Sequence, residues 1–384
     1  MKLACVVQRY GPGVVGGSES HCRSIAERLA AHHDVTVLTS CATDYLSWKN
    51  EFSPGTSQAG PVRVTRFPAE HQRRRHDFTE LNHVVSMRRA TADDERAWFD
   101  ENGPVVPGLL DHLRTQGASY DRVLFWTYRY YPSYFGVPLV RDRAILLPTA
   151  EEDPAINMPS LREFFRLPRG FVFLTPEEAE LVCERAGGVL PPHCVIGTGL
   201  DTARQRAAEA GRYERRRPFV LYLGRVEPHK GCETLLRYFQ SFAERSGTDL
   251  QLVLAGPVFM PIPSHPSIVP LGFVDDDTRA ALLQSALALV VPSPYESLCI
   301  ALLEAWNHAL PALVNGHCRV LKGQVLRANG GLFYENVLQF EAGLRTIVEE
   351  PRMAKQLGRQ GRDYVDEHYR WPTVMQTLET FLTQ

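Results

Sequence analysis

Two stretches of this chain, beginning at residues 3 and 219, open in the same way: a short apolar strand, a glycine-bounded loop, then a helix. In the first, strand 3–8 leads through Gly11-Pro12-Gly13-Val14-Val15-Gly16-Gly17 to a helix whose Cys22, Ile25, Ala26 and Leu29 keep i, i+3, i+4, i+7 spacing. In the second, strand Phe219–Leu223 leads through Gly224–Gly231 to a helix over 232–245. The alternation continues, with strands predicted at 35–39, 62–67, 123–126, 144–147, 171–174 and 194–196, then at 250–254, 268–271 and 287–291, and helices at 277–286 and 298–308. Such alternation makes a parallel sheet covered on both faces. The polar run 201–217, ending Arg215-Arg216-Arg217, interrupts the plan. The expected fold class is therefore α/β, with two Rossmann-like doubly wound domains at 1–200 and 218–366 and a connector at 201–217. Ligands bind beyond the carboxyl ends of strands in these sheets, so the halves are expected to face each other across a cleft.

Composition excludes several other classes. The chain is 384 residues long, 44% hydrophobic and 22% charged, the balance of a globular protein with a large core. Residues 1–200 carry 22 Lys and Arg against 24 Asp and Glu, and the remainder 20 against 20, so neither half reads as a nucleic-acid arm. The opening apolar run stops at Gln8-Arg9, short of a signal-peptide core, and no apolar stretch reaches the ~18 residues of a membrane helix. Eight cysteines without a Cys-x-x-Cys pair suit a reducing compartment, and the expected location is the cytoplasm.

Gly11 to Gly16 satisfies G-x-G-x-x-G, the dinucleotide fingerprint, between a strand and a helix. That fingerprint also needs an acidic residue about 20 positions on, and the second strand ends Thr39-Ser40-Cys41, which weighs against a nicotinamide dehydrogenase. What remains is flexible backbone at Gly16-Gly17 ahead of Ser18-Glu19, whose N–H groups suit an anion; a plain strand-to-helix turn is the other reading. The second loop adds cations, Arg225 and Lys230. A diphosphate would meet there a guanidinium, an ammonium and a helix N-terminus. Arg outnumbers Lys by 37 to 5, so lysine at 230 is an unusual choice. Two exposed loop cations are the plainer alternative.

Farther on, Glu296 follows a strand end and Glu304 lies in the next helix, off its stripe of Leu298, Ala301, Leu302 and Ala305. Helix-start N–H groups between them, from Ser297 and Leu298 onward, could meet phosphate. With Gly16-Gly17, Gly224-Arg225…Lys230-Gly231 and this Glu-x7-Glu pair, the chain resembles the retaining glycosyltransferases of the GT-B fold, family-four group, over most of its length. The resemblance implies a nucleotide-diphosphate sugar as donor and an acceptor that could be a glycan, a lipid-linked sugar or a small molecule. It implies that Arg225 and Lys230 bind the diphosphate, Glu304 the ribose, Glu296 the transferred sugar, and the backbone at Phe273 and Val274 the base. It also implies that residues 367–384 form a last helix returning to the first domain. Transfer would retain anomeric configuration, with Arg225, Lys230 and the helix start stabilising the leaving diphosphate and the acceptor proton passing to it.

The chain departs from the family pattern in three places. Glu151-Glu152-Asp153 stands where a histidine is common, Ser297-Leu298-Cys299 lacks the usual glycine, and Ala309 replaces another glycine. Glu19, Glu151, Asp153 and Tyr128 are expected as possible sugar or acceptor contacts, Tyr128 belonging to a strand-end aromatic run with Trp126, Tyr130, Tyr131 and Tyr134. Asp275-Asp276-Asp277 contains Asp-x-Asp, but its place before a helix favours capping over a metal, and no obligatory metal is expected. The basic residues at 71–76 and 88–89 read as solvated loop, with peripheral contact to an anionic membrane as the alternative. Two rival functions fit the same fold: a sugar-nucleotide isomerase or hydrolase, and a silent nucleotide-binding subunit.

Overall fold

The computed structural model describes residues 1–14, 16–202, 217–247 and 249–384. The chain divides into two compact units, Met1–Gly197 with Met375–Gln384, and Thr198–Val374. Most of the connector expected at 201–217 lies outside the described residues.

In the first unit, β1 (Lys2–Val6), β2 (Asp34–Ser40), β3 (Gly55–Ala59), β4 (Val62–Phe67), β5 (Arg122–Trp126), β6 (Ala144–Leu147), β7 (Gly170–Phe173) and β8 (His193–Val195) form one sheet. Its order is β3-β4-β2-β1-β5-β6-β7-β8, parallel throughout except for β3 on β4. Both faces are covered, so the inner strands are continuous apolar runs: Val123 to Trp126, Leu146, Leu147, Phe171 and Phe173 are fully buried. The second unit holds β9 (Phe219–Leu223), β10 (Gln251–Ala255), β11 (Ile268–Gly272), β12 (Leu289–Val291), β13 (Ala312–Asn315) and β14 (Gly331–Tyr334), all parallel, in the order β11-β10-β9-β12-β13-β14. The helix Cys232–Ser246 lays Leu235, Leu236, Phe239 and Phe242 on this sheet.

In each unit the chain adds strands to one side of its first strand and then to the other. The order therefore reverses between β1 and β5, and between β9 and β12. Four loops leave the carboxyl ends of these strands, starting at residues 7, 127, 224 and 292. Splayed loops at such a reversal leave room for a ligand.

The last helix, Trp371–Thr383, starts in the second unit, where Trp371 packs so closely on Gly199 that a Cβ there would sit 2.1 Å from its ring. Its later residues belong to the first unit, where the Phe381 ring fills the space beside Gly170. No helix among the described residues is long and apolar enough to cross a membrane.

Two of the departures noted in the sequence fall on left-handed backbone: Cys299 has φ 66° and Ala309 φ 55°, one at each end of the helix Ile300–Asn307. At Ala309 the turn closes with Ala309 N–H on Trp306 O and Leu310 N–H on Ala305 O, the pattern that usually places glycine in the middle. Left-handed backbone costs an L residue ~1–2 kcal/mol, and the extra freedom of unfolded glycine returns ~0.5–1 kcal/mol of that. Ala309→Gly is expected to stabilise the protein by up to ~1 kcal/mol, read from the denaturant midpoint. A lower midpoint would show that packing of the Ala309 methyl outweighs the strain.

Candidate active site

The two loops at the reversal point of the second sheet meet at Gly231 and Pro292. Gly231 has φ 75°, and a Cβ on it would lie 2.3 Å from the Pro292 carbonyl oxygen, so only glycine allows this approach. Closure of the loops brings together side chains 66 positions apart: Lys230 Nζ donates to Glu296 Oε1 at 2.9 Å, with both side chains mostly buried. Arg225, more exposed, pairs with Glu227 at 3.0 Å, and its carbonyl accepts from the Tyr222 hydroxyl at 2.6 Å. Sequence reasoning named Arg225, Lys230 and Glu296; the ion pair between the last two comes from the topology.

Loop 292–299 is held by polar groups behind it. Asn315 Nδ2 donates to the carbonyls of Pro292 at 3.2 Å and Ser293 at 3.4 Å, and the fully buried Gln324 donates to the carbonyl of Leu298. The expected helix start needs correction. The helix begins at Ile300, not at 298, because Cys299 is left-handed; Ser297 and Leu298 lie in the turn before it, Leu298 with its side chain buried. The N-cap residue, Cys299, makes no side-chain capping bond. Glu296 Oε1 is engaged by Lys230 beside the first turn of this helix.

Glu304 sits one turn into this helix, and Arg279 Nη1 approaches its Oε1 at 3.3 Å. Burial raises the Glu304 carboxyl above the ordinary range, Arg279 opposes the rise, and Asp276 adds to it. The segment 271–274 covers the end of β11 and the two residues after it, with Phe273 77% exposed and Val274 half-buried. Beyond it, Asp275 Oδ1 accepts from Thr278 N–H at 2.8 Å and caps the helix Asp276–Ser285; the Thr278 hydroxyl and backbone hold its carboxyl below the usual range. Among the described residues, no group of three or more His, Cys, Asp or Glu is arranged to hold a metal ion.

In the first unit, Gly16 stands against a buried ion pair. Arg9 Nε donates to Glu19 Oε1 at 2.9 Å, Arg9 Nη1 donates to Thr43 O at 2.8 Å, and a Cβ on Gly16 would lie 2.2 Å from Glu19 Oε2. Gly17 opens the helix Gly17–Leu29. Glu19 is thus committed to Arg9, a partner that sequence reasoning passed over because it merely ends an apolar run. Asp153 is likewise buried and paired with Arg129 at 2.6 Å, while Glu151 is half-buried. Stacking of a sugar on Tyr128 is corrected by the structure: its ring lies in the core against Phe165 with 1% exposure, and Trp126 is fully buried. Tyr130, Tyr131 and Tyr134 keep partial exposure.

A further group in this region was not foreseen. Glu178 is fully buried, and its two carboxyl oxygens accept from Ala150 N–H and Leu174 N–H, each at 2.6 Å, which ties the loop after β6 to the end of β7. Burial pushes its carboxyl up to about 8 in spite of those bonds.

Comparison with known proteins bears on what these groups do. Residues 204–364 match the family described as glycosyl transferases group 1. An uncharacterized glycosyltransferase of Methanocaldococcus jannaschii is 24% identical over 401 residues, covering 97% of this chain and 96% of that protein. Sucrose-phosphate synthase of Thermosynechococcus elongatus shares the fold with a TM-score of 0.72 at 18% identity, over 100% of this chain and 98% of that one. HepE of Anabaena, solved in complex with UDP-glucose, does so with a TM-score of 0.68 at 13% identity, over 100% and 99%. The shared fold is the GT-B fold.

Proposed function

We propose that this chain, a glycosyltransferase of the GT-B fold whose residues 204–364 belong to group 1, takes its sugar from a nucleotide-diphosphate donor and transfers it with retention to an acceptor hydroxyl. The observation that carries this reading is the Lys230–Glu296 pair at the reversal point of the second sheet, beside a helix start. One cation, one carboxylate and a helix N-terminus at one point suit a sugar diphosphate, which has a negative leaving group and develops positive charge at the anomeric carbon. The complex of HepE with UDP-glucose supports a donor of this class.

In this reading Arg225 and Lys230 stabilise charge on the departing diphosphate as fixed electrostatics, and no metal is obligatory. Ser297, Leu298 and the first N–H groups of the helix face the phosphates through backbone. Glu304 accepts from the ribose hydroxyls, Glu296 meets the transferred sugar, and the Phe273-Val274 segment borders the base. The acceptor proton leaves with the diphosphate.

A thermal-shift series over UDP-, GDP-, ADP- and TDP-sugars tests the donor. A ligand at 100 times its dissociation constant stabilises by ~2.7 kcal/mol, and one nucleotide is expected to raise the midpoint equally with and without EDTA. No rise with any of them would end the donor reading, and a rise abolished by EDTA would make a divalent cation part of the site.

A further inference from the structure

We infer that Arg279, on the helix Asp276–Ser285, is a positioning residue for nucleotide binding that acts through the Glu304 carboxylate. The inference rests on the reading that Glu304 receives the ribose hydroxyls.

The geometry divides the two oxygens of Glu304. Arg279 Nη1 lies 3.3 Å from Oε1, which leaves Oε2 to meet a ligand. Arg279 is itself anchored, its Nη2 donating to Asp276 Oδ1 at 2.9 Å on a helix that Asp275 caps. A guanidinium fixed at one oxygen turns the other toward the ligand and limits the rotamers that a glutamate would otherwise explore.

The charges around the carboxyl make that contact consequential. From the helix Asp276–Ser285 it faces Arg279 and Asp276; one turn on, at the cap that ends its own helix, lies His308, which burial, Arg362 and Arg279 hold below the ordinary histidine range. Arg279 is therefore the group that opposes the effects of burial and of Asp276 on Glu304. A carboxylate accepts hydrogen bonds at both oxygens, whereas a protonated carboxyl turns one oxygen into a donor. Ribose binding should then fail as pH falls through the Glu304 pKa, and loss of Arg279 should move that failure to higher pH.

The test uses the free nucleoside diphosphate that stabilises the protein and its dideoxy counterpart, which lacks the ribose hydroxyls. Arg279→Ala is expected to weaken the ribonucleotide about tenfold near neutral pH, as loss of hydrogen bonding to a charged group does, with the dideoxy analogue unchanged. The loss should shrink as pH is raised, and Arg279→Lys should restore most of the affinity. Equal weakening of both ligands, or no weakening of either, overturns the inference. Glu304→Ala separates it from the reading beneath it. If that variant still prefers the ribonucleotide, the ribose role of Glu304 fails; if it loses the preference while Arg279→Ala keeps it, the role of Arg279 alone fails.

Discussion

Glu296→Gln is expected to lower kcat by roughly 100- to 1,000-fold, the scale seen when one preorganised electrostatic group is removed from an active site, while affinity for the free nucleoside diphosphate holds or improves. The substitution keeps shape and removes charge. If the carboxylate stands beside the sugar, its negative charge matters most as positive charge develops at the anomeric carbon, and the loss falls on turnover and not on ground-state binding. The 2.9 Å pair with Lys230 supplies the second half of the expectation. Without a carboxylate to share it, the ammonium is fully available to phosphate, so binding of the product nucleotide should not suffer. Turnover and nucleotide affinity measured on the folded variant decide the matter; unchanged turnover would take Glu296 out of the chemistry.

Lys230→Ala should do the reverse, weakening the nucleoside diphosphate by ~1.5–3 kcal/mol, which is roughly 10- to 150-fold, with the nucleoside alone binding as before. Part of that loss comes from Glu296, since removing the lysine leaves a mostly buried carboxylate facing the phosphates. The double variant with Glu296→Gln isolates this contribution: if repulsion matters, it binds the diphosphate better than Lys230→Ala alone. Equal losses for nucleoside and diphosphate would mean that Lys230 shapes the pocket without meeting phosphate.

The strands that were legible are those whose residues carry their own signal. β2, β5 and β9 are rich in β-branched or aromatic residues and β1 is an apolar run; all are largely buried and read as strands without any neighbour. β13 and β14 were missed because Ala312-Leu313-Val314-Asn315 and Gly331-Leu332-Phe333-Tyr334 are too short to show a period and abut Pro311 and Gly330. β3 was missed for the opposite reason: Gly-Thr-Ser-Gln-Ala is an exposed polar edge whose pairing with β4 leaves no apolar pattern. In the site, spacing and residue type pointed to Lys230, Glu296 and Glu304. Their partners were not legible, since nothing local marks Arg279 as the residue that meets Glu304 25 positions later, or Arg9 as the counter-ion of Glu19. The start of the helix at 300 depends on one backbone angle at Cys299, which residue type alone argues against.

The first unit is discontinuous in the chain, needing residues 375–384 to complete a core that is otherwise made from the first 197. During synthesis its sheet emerges early, yet the ring that fills the space beside Gly170 belongs to Phe381 and arrives after the second unit is already out of the ribosome. Domains usually fold in order of emergence, but here the order is nested: the inner unit can finish first, and the outer one waits for residues 375–384. Between those moments β7 lacks its final cover, a window in which a chaperone or a neighbouring nascent chain can engage it.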